Sequence, residues 1–286
     1  MVSVGVDIGG TGVRAAVVAA DGSVGPVHRV ALDQRRPEAV VQAVARAVER
    51  AASGAEVGRL GVGVPGFVRD GVVLGSPNFP AFRDLDLKRL LADHTGADVV
   101  VHNDANAAAL GAWRRHAAGR DLVLLTLGTG VGGGVVSRGR LLTGRRGVAG
   151  ELGHVDVGGE VACGCGARGC LEGWLGTEGL RRRAEAQGLA IDDGAELFAR
   201  ADDDERAERL VSEAVDALAR GLRTLLVVFA PEVLAFAGGL SLARPRLQPA
   251  VDRAVAAAIP AAVDQLEVRW LGRADELAIA GAVETP

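Results

Sequence analysis

A strand that enters a glycine turn and leaves along a second strand occurs twice in this chain. VDIGGTGVRAAVVAADG carries it near the start, with strand patterns over 2–7 and 13–19 around IGGTG. TLGTGVGGGVVSRGR repeats it in the middle, with a strand over 121–127, the turn GTGVGG and a return through GVVSRGR. Strand and helix patterns alternate over the rest of the chain, which predicts an α/β protein with sheets covered by helices. Two related halves facing one another would set two glycine turns on opposite sides of one cleft. The boundary is expected near Gly119, giving a first domain over 1–118 and a second over 119–273, with the closing helix 274–286 packing back on the first.

Local signals fill in the elements. A third strand is expected over 25–31, and Pro37 suits the first turn of a helix in which valine and alanine recur at helical spacing. A strand over 58–64 ends at Pro65-Gly66, and Asp70-Gly71 marks a tight hairpin. A helix over 86–95 and a strand over 98–101 precede an alanine-rich helix over 103–119, for which Asn103 or Asp104 is the N-cap. Helices follow over 174–188, 194–200 and 204–229, the last stopped by Pro231. A buried strand over 233–239 leads to a helix over 245–263 kinked at Pro260, a strand over 265–271 and a closing helix.

Composition removes several classes of function. A net charge of −4 with mixed signs gives no footing for nucleic acid or an anionic membrane. Lys88 is the only lysine and lies on a polar-faced helical pattern, which removes a Walker-type phosphate lysine and a Schiff base. The N-terminus enters a strand with no signal peptide, and no apolar run reaches the length of a membrane span. Three cysteines is an odd number, and a disulfide framework is a poor reading without export. A soluble cytoplasmic protein is expected.

Two stretches match G-x-G-x-x-G, at Gly61–Gly66 and Gly128–Gly133. Neither is followed by a helix to receive a pyrophosphate, so both fail as dinucleotide sites. They read instead as hairpin turns whose backbone N–H groups form an anion-binding nest. Asp7, Gly9, Gly10 and Thr11 add a carboxylate and a hydroxyl to such a turn. A carboxylate beside a phosphate repels it unless a cation lies between, which points Asp7 toward Mg²⁺; the plainer alternative is an ordinary hairpin.

All three cysteines fall within ELGHVDVGGEVACGCGARGCLE, residues 151–172. His154-x8-Cys163-x-Cys165-x4-Cys170 offers a Cys₃His set, which leaves no open position for water and so reads as structural zinc and not a hydrolytic centre. Buried free thiols are the plainer alternative. A redox role is excluded because no C-x-x-C pair is present.

Taken in order, DIGGT, GVGVPG, SPN, NDANAAALG, LGTGVGGG, GVAGELGH, CGCGARGCLE and FAGGLS resemble the ROK family of sugar kinases and sugar-responsive repressors over nearly the whole chain, most closely its glucokinases. The resemblance implies an actin-like (ribonuclease H-like) two-lobe fold with ATP and sugar in an interlobe cleft. It implies that Asp7 to Thr11 and Thr129 with Gly130 are the two phosphate loops, and that Gly238 and Gly239 take the adenosine. Asp104 becomes the general base. Gly66, Asn78, Asn103, Glu151, His154 and Glu172 become sugar-site residues, with His154 shared between zinc and sugar. Read alone, Asp104 is as well explained as a cap, Glu151 as a loop acid and Glu172 as a cap of the 174–188 helix.

The activity implied is transfer of the γ-phosphoryl of ATP to the 6-hydroxyl of glucose, with Mg²⁺ as cofactor and a homo-oligomer, dimer or tetramer, as the assembly. The alternatives are a kinase for an N-acetylhexosamine, mannose or fructose, or a sugar sensor. Polyphosphate as donor fits the cysteine cluster poorly, and a repressor would need a helix-turn-helix ahead of the strand that begins at Val2. Two departures from the family pattern stand out. GWLGTEGL, with Trp174 and Thr177, replaces an ASGPAL-like segment after CLE, and the loop from His154 to Cys163 is short.

Overall fold

The structure is a computed structural model, and it describes residues 1–285. In chain order the elements are β1 (Val2–Gly9), β2 (Gly12–Val18), β3 (His28–Ala31), α1 (Pro37–Ala52), β4 (Val57–Val64), β5 (Phe67–Arg69), β6 (Val72–Gly75), β7 (Leu85–Asp86), α2 (Leu87–Thr95), β8 (Asp98–Asn103) and α3 (Asp104–His116). They continue as β9 (Leu122–Leu127), β10 (Val131–Ser137), β11 (Arg140–Leu141), α4 (Leu171–Leu175), α5 (Thr177–Ala186), α6 (Gly194–Arg200) and α7 (Glu205–Phe229). The chain closes with β12 (Val233–Ala237), α8 (Arg244–Ala256), α9 (Pro260–Val263), β13 (Glu267–Gly272) and α10 (Ala274–Ala282). Two compact units divide it. The first takes Met1–Gly119, Gly134–Gly150 and the residues from Asp275, and the second takes Arg120–Gly133 and Glu151–Ala274.

The first unit is built on a sheet of order β3-β2-β1-β4-β8, in which β1, β2 and β3 pair antiparallel while β1, β4 and β8 run parallel. Pro37 opens α1, and the helix ends on Ser53 in the left-handed region at φ 48°. Its Val40, Val44, Ala47 and Val48 recur at helical spacing and bury against Val4, Val6, Leu60 and Val62 of the sheet. Asp70 and Gly71 both have positive φ, 52° and 86°, as a two-residue hairpin of the primed type requires, and they join β5 to β6.

The second sheet repeats the first. Its order is β11-β10-β9-β12-β13, with an antiparallel β10–β11 pair at one edge and parallel β9, β12 and β13 at the other. The echo in the sequence is thus a repeated sheet plan, three neighbouring strands of a meander followed by two parallel ones.

Three expectations change. The helix expected over 174–188 is two helices, because Gly176 is extended (φ −67°, ψ 145°) between α4 and α5. Pro260 does not kink a helix; α8 ends at Ala256 and Pro260 opens the separate turn α9, while Pro249 lies inside α8. Asn103 is the N-cap of α3 and Asp104 its first helical residue, which decides the alternative left open by the sequence. Among the described residues no helix is long and apolar enough to cross a membrane.

Within the first unit α10 lies backbone to backbone on its neighbours. A Cβ on Gly5 would come 2.0 Å from the Ile279 carbonyl oxygen, one on Gly61 2.2 Å from that of Ala282, and one on Gly111 2.1 Å from that of Leu277. Beyond the helix, Arg59 donates from Nε to the Val283 carbonyl at 2.6 Å and from Nη2 to Thr285 Oγ1 at 2.8 Å. Buried His102 meets the Glu284 carbonyl through Nε2 at 3.0 Å. Gly61→Ala is expected to destabilise the protein by about 3 kcal/mol or more, since backbone must move to admit the methyl. Gly75→Ala, at a position with no atom within 4 Å of an added Cβ, should change stability little. Denaturant unfolding of the two variants checks the contrast.

Candidate active site in two half-sites

The first half-site follows from strand register. Gly9 pairs with Gly12, so Gly10 and Thr11 form the turn, and Asp7 falls directly opposite Arg14. Arg14 Nη1 donates to Asp7 Oδ2 at 2.9 Å, and Arg14 Nε lies 3.8 Å from Asp275 Oδ2. Asp7 is buried, and burial, followed by the charge of Asp104, pushes its pKa up to about 6 against the opposing pull of Arg14. The two acids come near one another across Gly63, which pairs with Asp7 in the sheet and whose missing side chain would stand 3.5 Å from the Asp104 Cα.

Asp104 sits where β8 passes into α3. Asn103 Oδ1 caps the helix by accepting the Asn106 N–H at 3.0 Å, and Asn103 Nδ2 donates to the Gly66 carbonyl at 3.0 Å. That carbonyl is presented by a glycine at φ 122°, where a Cβ would come 2.3 Å from the Gly75 carbonyl oxygen. The cap duty therefore falls on Asn103. Asp104 Oδ1 accepts the adjacent Ala105 N–H at 2.9 Å. Burial raises the Asp104 pKa, partly opposed by the backbone N–H groups of Ala105 and Asp104 itself. A half-buried carboxyl with a raised pKa at the mouth of a helix is a competent proton acceptor.

Asn78 completes this half. A Cβ on Gly10 would stand 3.3 Å from Asn78 Nδ2, so the first glycine turn and the asparagine are neighbours. The segment is anchored by Phe79 and Phe82, both fully buried and stacked with centroids 4.8 Å apart.

The second half-site holds the other turn and the cysteine cluster. Thr129 is exposed at the tip between β9 and β10, and a Cβ on Gly130 would come 2.5 Å from Glu172 Oε2, the oxygen that accepts the Val131 N–H at 3.2 Å. Gly238 follows β12 at φ 94°, where a Cβ would come 2.3 Å from the Leu127 carbonyl oxygen, while Gly239 has open space where a side chain would be. The anion nest expected at the glycine turns is not formed. Gly9, Gly10, Thr11, Gly128, Thr129 and Gly130 all lack the positive φ that alternation of handedness needs, so these turns offer N–H groups in plain turn geometry.

Glu151 caps a single 3₁₀ turn, Leu152–His154, of which His154 is the last residue. The ligand atoms of His154, Cys163, Cys165 and Cys170 all lie within 4.8 Å of one another. His154 Nδ1 is 3.6 Å from Cys163 Sγ, and Cys165 Sγ is 3.7 Å from Cys170 Sγ. Tetrahedral zinc with Zn–S of ~2.3 Å and Zn–N of ~2.0–2.1 Å sets two thiolates about 3.8 Å apart and a thiolate about 3.6 Å from an imidazole nitrogen. The residues present fit such an ion. Burial pushes the Cys163 thiol up to about 12 and raises Cys170 as well, whereas the Ala167 backbone N–H lowers Cys165, so the first two thiolates are states that a cation would have to draw out. Coordination through Nδ1 would leave the ring proton on His154 Nε2.

One residue, Arg14, escaped the reading of the sequence, and a second, Glu172, has contacts that the reading did not foresee. Arg14 supplies, as a guanidinium, a cation beside Asp7; once Gly10-Thr11 is taken as a two-residue turn, counting back places position 14 opposite position 7. Glu172 also holds the second turn through Val131, and its Oε1 accepts from the Cys163 thiol at 3.4 Å, a link between distant segments that no spacing reveals.

The chain matches the ROK family over residues 3–283 and belongs to it. It is 36% identical to a glucokinase of Thermotoga maritima, covering 98% of this chain and 95% of that protein. The crystal structure of a ROK hexokinase from Thermus thermophilus is similar with a TM-score of 0.85 at 36% identity, over 99% of this chain and 97% of the other. A ROK glucokinase from Streptomyces griseus, solved with glucose and AMPPNP, gives a TM-score of 0.81 at 31% identity, over 99% and 98%. The fold is the actin-like, ribonuclease H-like fold of these sugar kinases.

Two measurements test the half-sites. Elemental analysis of protein purified without added zinc should find about one zinc per chain, and finding none would remove the ion from the cluster. For Asp104, the folded state holds its proton more tightly than the unfolded state, whose pKa is about 3.9. Stability is therefore lost as pH rises above that value and the half-buried carboxyl ionises. Asp104→Asn should raise the melting temperature at pH 7 by roughly 2–4 °C, with the gain vanishing near pH 4. An equal gain at both pH values would refute the burial cost.

Proposed function

We propose that this ROK-family chain is an ATP-dependent glucokinase that transfers the γ-phosphoryl group of ATP to the 6-hydroxyl of glucose. The observation that carries the reading is Asp104, a half-buried carboxyl with raised pKa, with one oxygen on the neighbouring Ala105 N–H, in the same unit as the Asp7–Thr11 turn. Asp104 takes the proton of the 6-hydroxyl as that oxygen attacks the γ-phosphorus, and the bond from phosphorus to the β–γ bridging oxygen breaks to release ADP.

Asp7 is the residue that would face the Mg²⁺ accompanying ATP, and the ion when bound offsets phosphate charge. Arg14 holds Asp7 in place from the opposite strand. The Thr129–Gly130 turn takes phosphate oxygens, and Gly239, with open space where a side chain would be, leaves room for adenosine, while Gly238 packs on the Leu127 backbone. Asn78, Asn103, Glu151, His154 and Glu172 are the hydroxyl partners of the sugar. Of these, Asn103 already spends its amide on the α3 cap and on Gly66, so its contribution is chiefly to fix the start of α3. Zinc on His154 and the three cysteines would hold the imidazole in the tautomer that presents Nε2.

A coupled assay over a panel of hexoses, N-acetylhexosamines and phosphoryl donors with Mg²⁺ should give the highest kcat/KM for glucose with ATP. A clear preference for N-acetylmannosamine, mannose or fructose would replace the substrate but keep the chemistry, and inactivity on every sugar would favour a sensor. In the same assay Asp104→Asn should lose on the order of 10²–10⁴ in turnover, while calorimetry still records glucose binding. A near-normal rate would remove Asp104 as the base.

A further inference from the structure

Within the turn between β9 and β10 one hydrogen bond closes, from the Gly128 N–H to the Gly130 carbonyl at 3.0 Å, and it leaves the Gly128 carbonyl and the Thr129 N–H unfixed by the turn itself. Gly128, Thr129 and Gly130 make it up, and the threonine is exposed. Its shape is imposed from the segment where α4 gives way to α5. Thr177 stands there as the first residue of α5, and both of its donors converge on one acceptor. Its N–H and its hydroxyl each reach the Gly128 carbonyl oxygen at 3.1 Å. The hydroxyl oxygen accepts in turn the Gly194 N–H at 3.4 Å, at the start of α6. Just before it, Gly176 packs so tightly that a Cβ would stand 3.2 Å from the Gly130 Cα. The far side of the turn is held by Glu172 Oε2 on the Val131 N–H.

A carbonyl oxygen has two lone pairs, and Thr177 occupies both. The Gly128 carbonyl and the Thr129 N–H belong to one planar trans peptide, in which they point in opposite directions. Drawing the oxygen toward α5 therefore aims the Thr129 N–H away from α5. One hydrogen bond would leave that plane free to rock about its single contact, whereas two donors from a residue fixed at a helix start resist the rotation. Glycine on either side of Thr129 supplies no steric resistance, which is why an external clamp is needed.

We propose that Thr177 is a positioning residue for the phosphoryl donor, orienting the Thr129 N–H toward the nucleotide phosphates through its two bonds to the Gly128 carbonyl. This rests on the reading of the turn as a phosphate loop. Thr177→Val keeps the shape and the N–H and loses the hydroxyl, whereas Thr177→Ser keeps the hydroxyl and loses the methyl. Calorimetric titration of the full chain with Mg-AMPPNP and, separately, with glucose distinguishes the outcomes.

Thr177→Val should bind the nucleotide about five- to tenfold more weakly, the worth of one neutral hydrogen bond. Its glucose affinity should stay unchanged, and Thr177→Ser should match wild type for both ligands. Unchanged nucleotide affinity in Thr177→Val, equal losses for the two ligands, or a Thr177→Ser variant as weak as the valine one would each overturn the proposal. Should the valine variant not fold, Thr177→Ala serves in the same comparison. Wild-type protein that takes glucose and no nucleotide would overturn the functional reading itself, and the proposal with it.

Discussion

Two carboxylates withdrawn from water in one unit, Asp7 buried and Asp104 half-buried, set the terms for everything around them. Burial opposes the ionised form of each, and the charge of Asp104 adds to the difficulty of ionising Asp7. The surroundings soften that opposition without removing it. Arg14 reaches Asp7 from the opposite strand, one backbone N–H reaches Asp104, and Gly63 keeps bulk from between them. A fully neutralised pair would be more stable and chemically inert, whereas a pair left partly unsatisfied is poised to accept a proton or a cation. Val4, Val6 and Ile8 on β1 and Ala107, Ala108 and Leu110 on α3 are buried, so the elements that carry the two acids are anchored in the core by their apolar residues.

The large features of this arrangement were legible in the sequence because they rest on local chemistry. Asp70-Gly71 demanded a hairpin, Pro37 a helix start, and the repeated glycine turn a repeated sheet. The Cys₃His set came from spacing alone and its donor distances suit tetrahedral zinc. What stayed hidden depends on contacts between distant segments. Gly176 breaks a helix because its neighbours dock on the β9–β10 turn, and nothing within GWLGTEGL states that. Pro260 has the same ring whether it kinks a helix or begins one; the difference lies in where α8 stops. The choice between Asn103 and Asp104 as cap turned on the Gly66 carbonyl, which only an asparagine can serve with its amide while capping with its oxygen.

The departure at Trp174 and the shortened loop from His154 to Cys163 explain one another. Trp174 Nε1 donates to the Gly158 carbonyl at 3.1 Å, and Gly159 lies so close beneath the ring that a Cβ would come 2.6 Å from it. Arg183 stacks on the indole at 4.7 Å and donates to the Trp174 carbonyl at 3.0 Å. The loop ahead of the cysteines is thus pinned to the helices that follow them. A short loop with little freedom, held by an aromatic bracket, delivers Cys163 to the cluster without needing length of its own.

The seat of α10 on glycines has a consequence for how the chain is made. Arg59 bonds to residues 224 and 226 positions further along, and Gly5 packs on Ile279. Every residue of the second unit emerges before the first unit has its last helix. During synthesis the N-terminal sheet waits with its face against α10 uncovered, while the intervening unit has all of its own sequence and can close. Such long-range closure is slow and leaves an incomplete intermediate open to association. The unit that carries Asp7 and Asp104 therefore cannot be whole until α10 has been made.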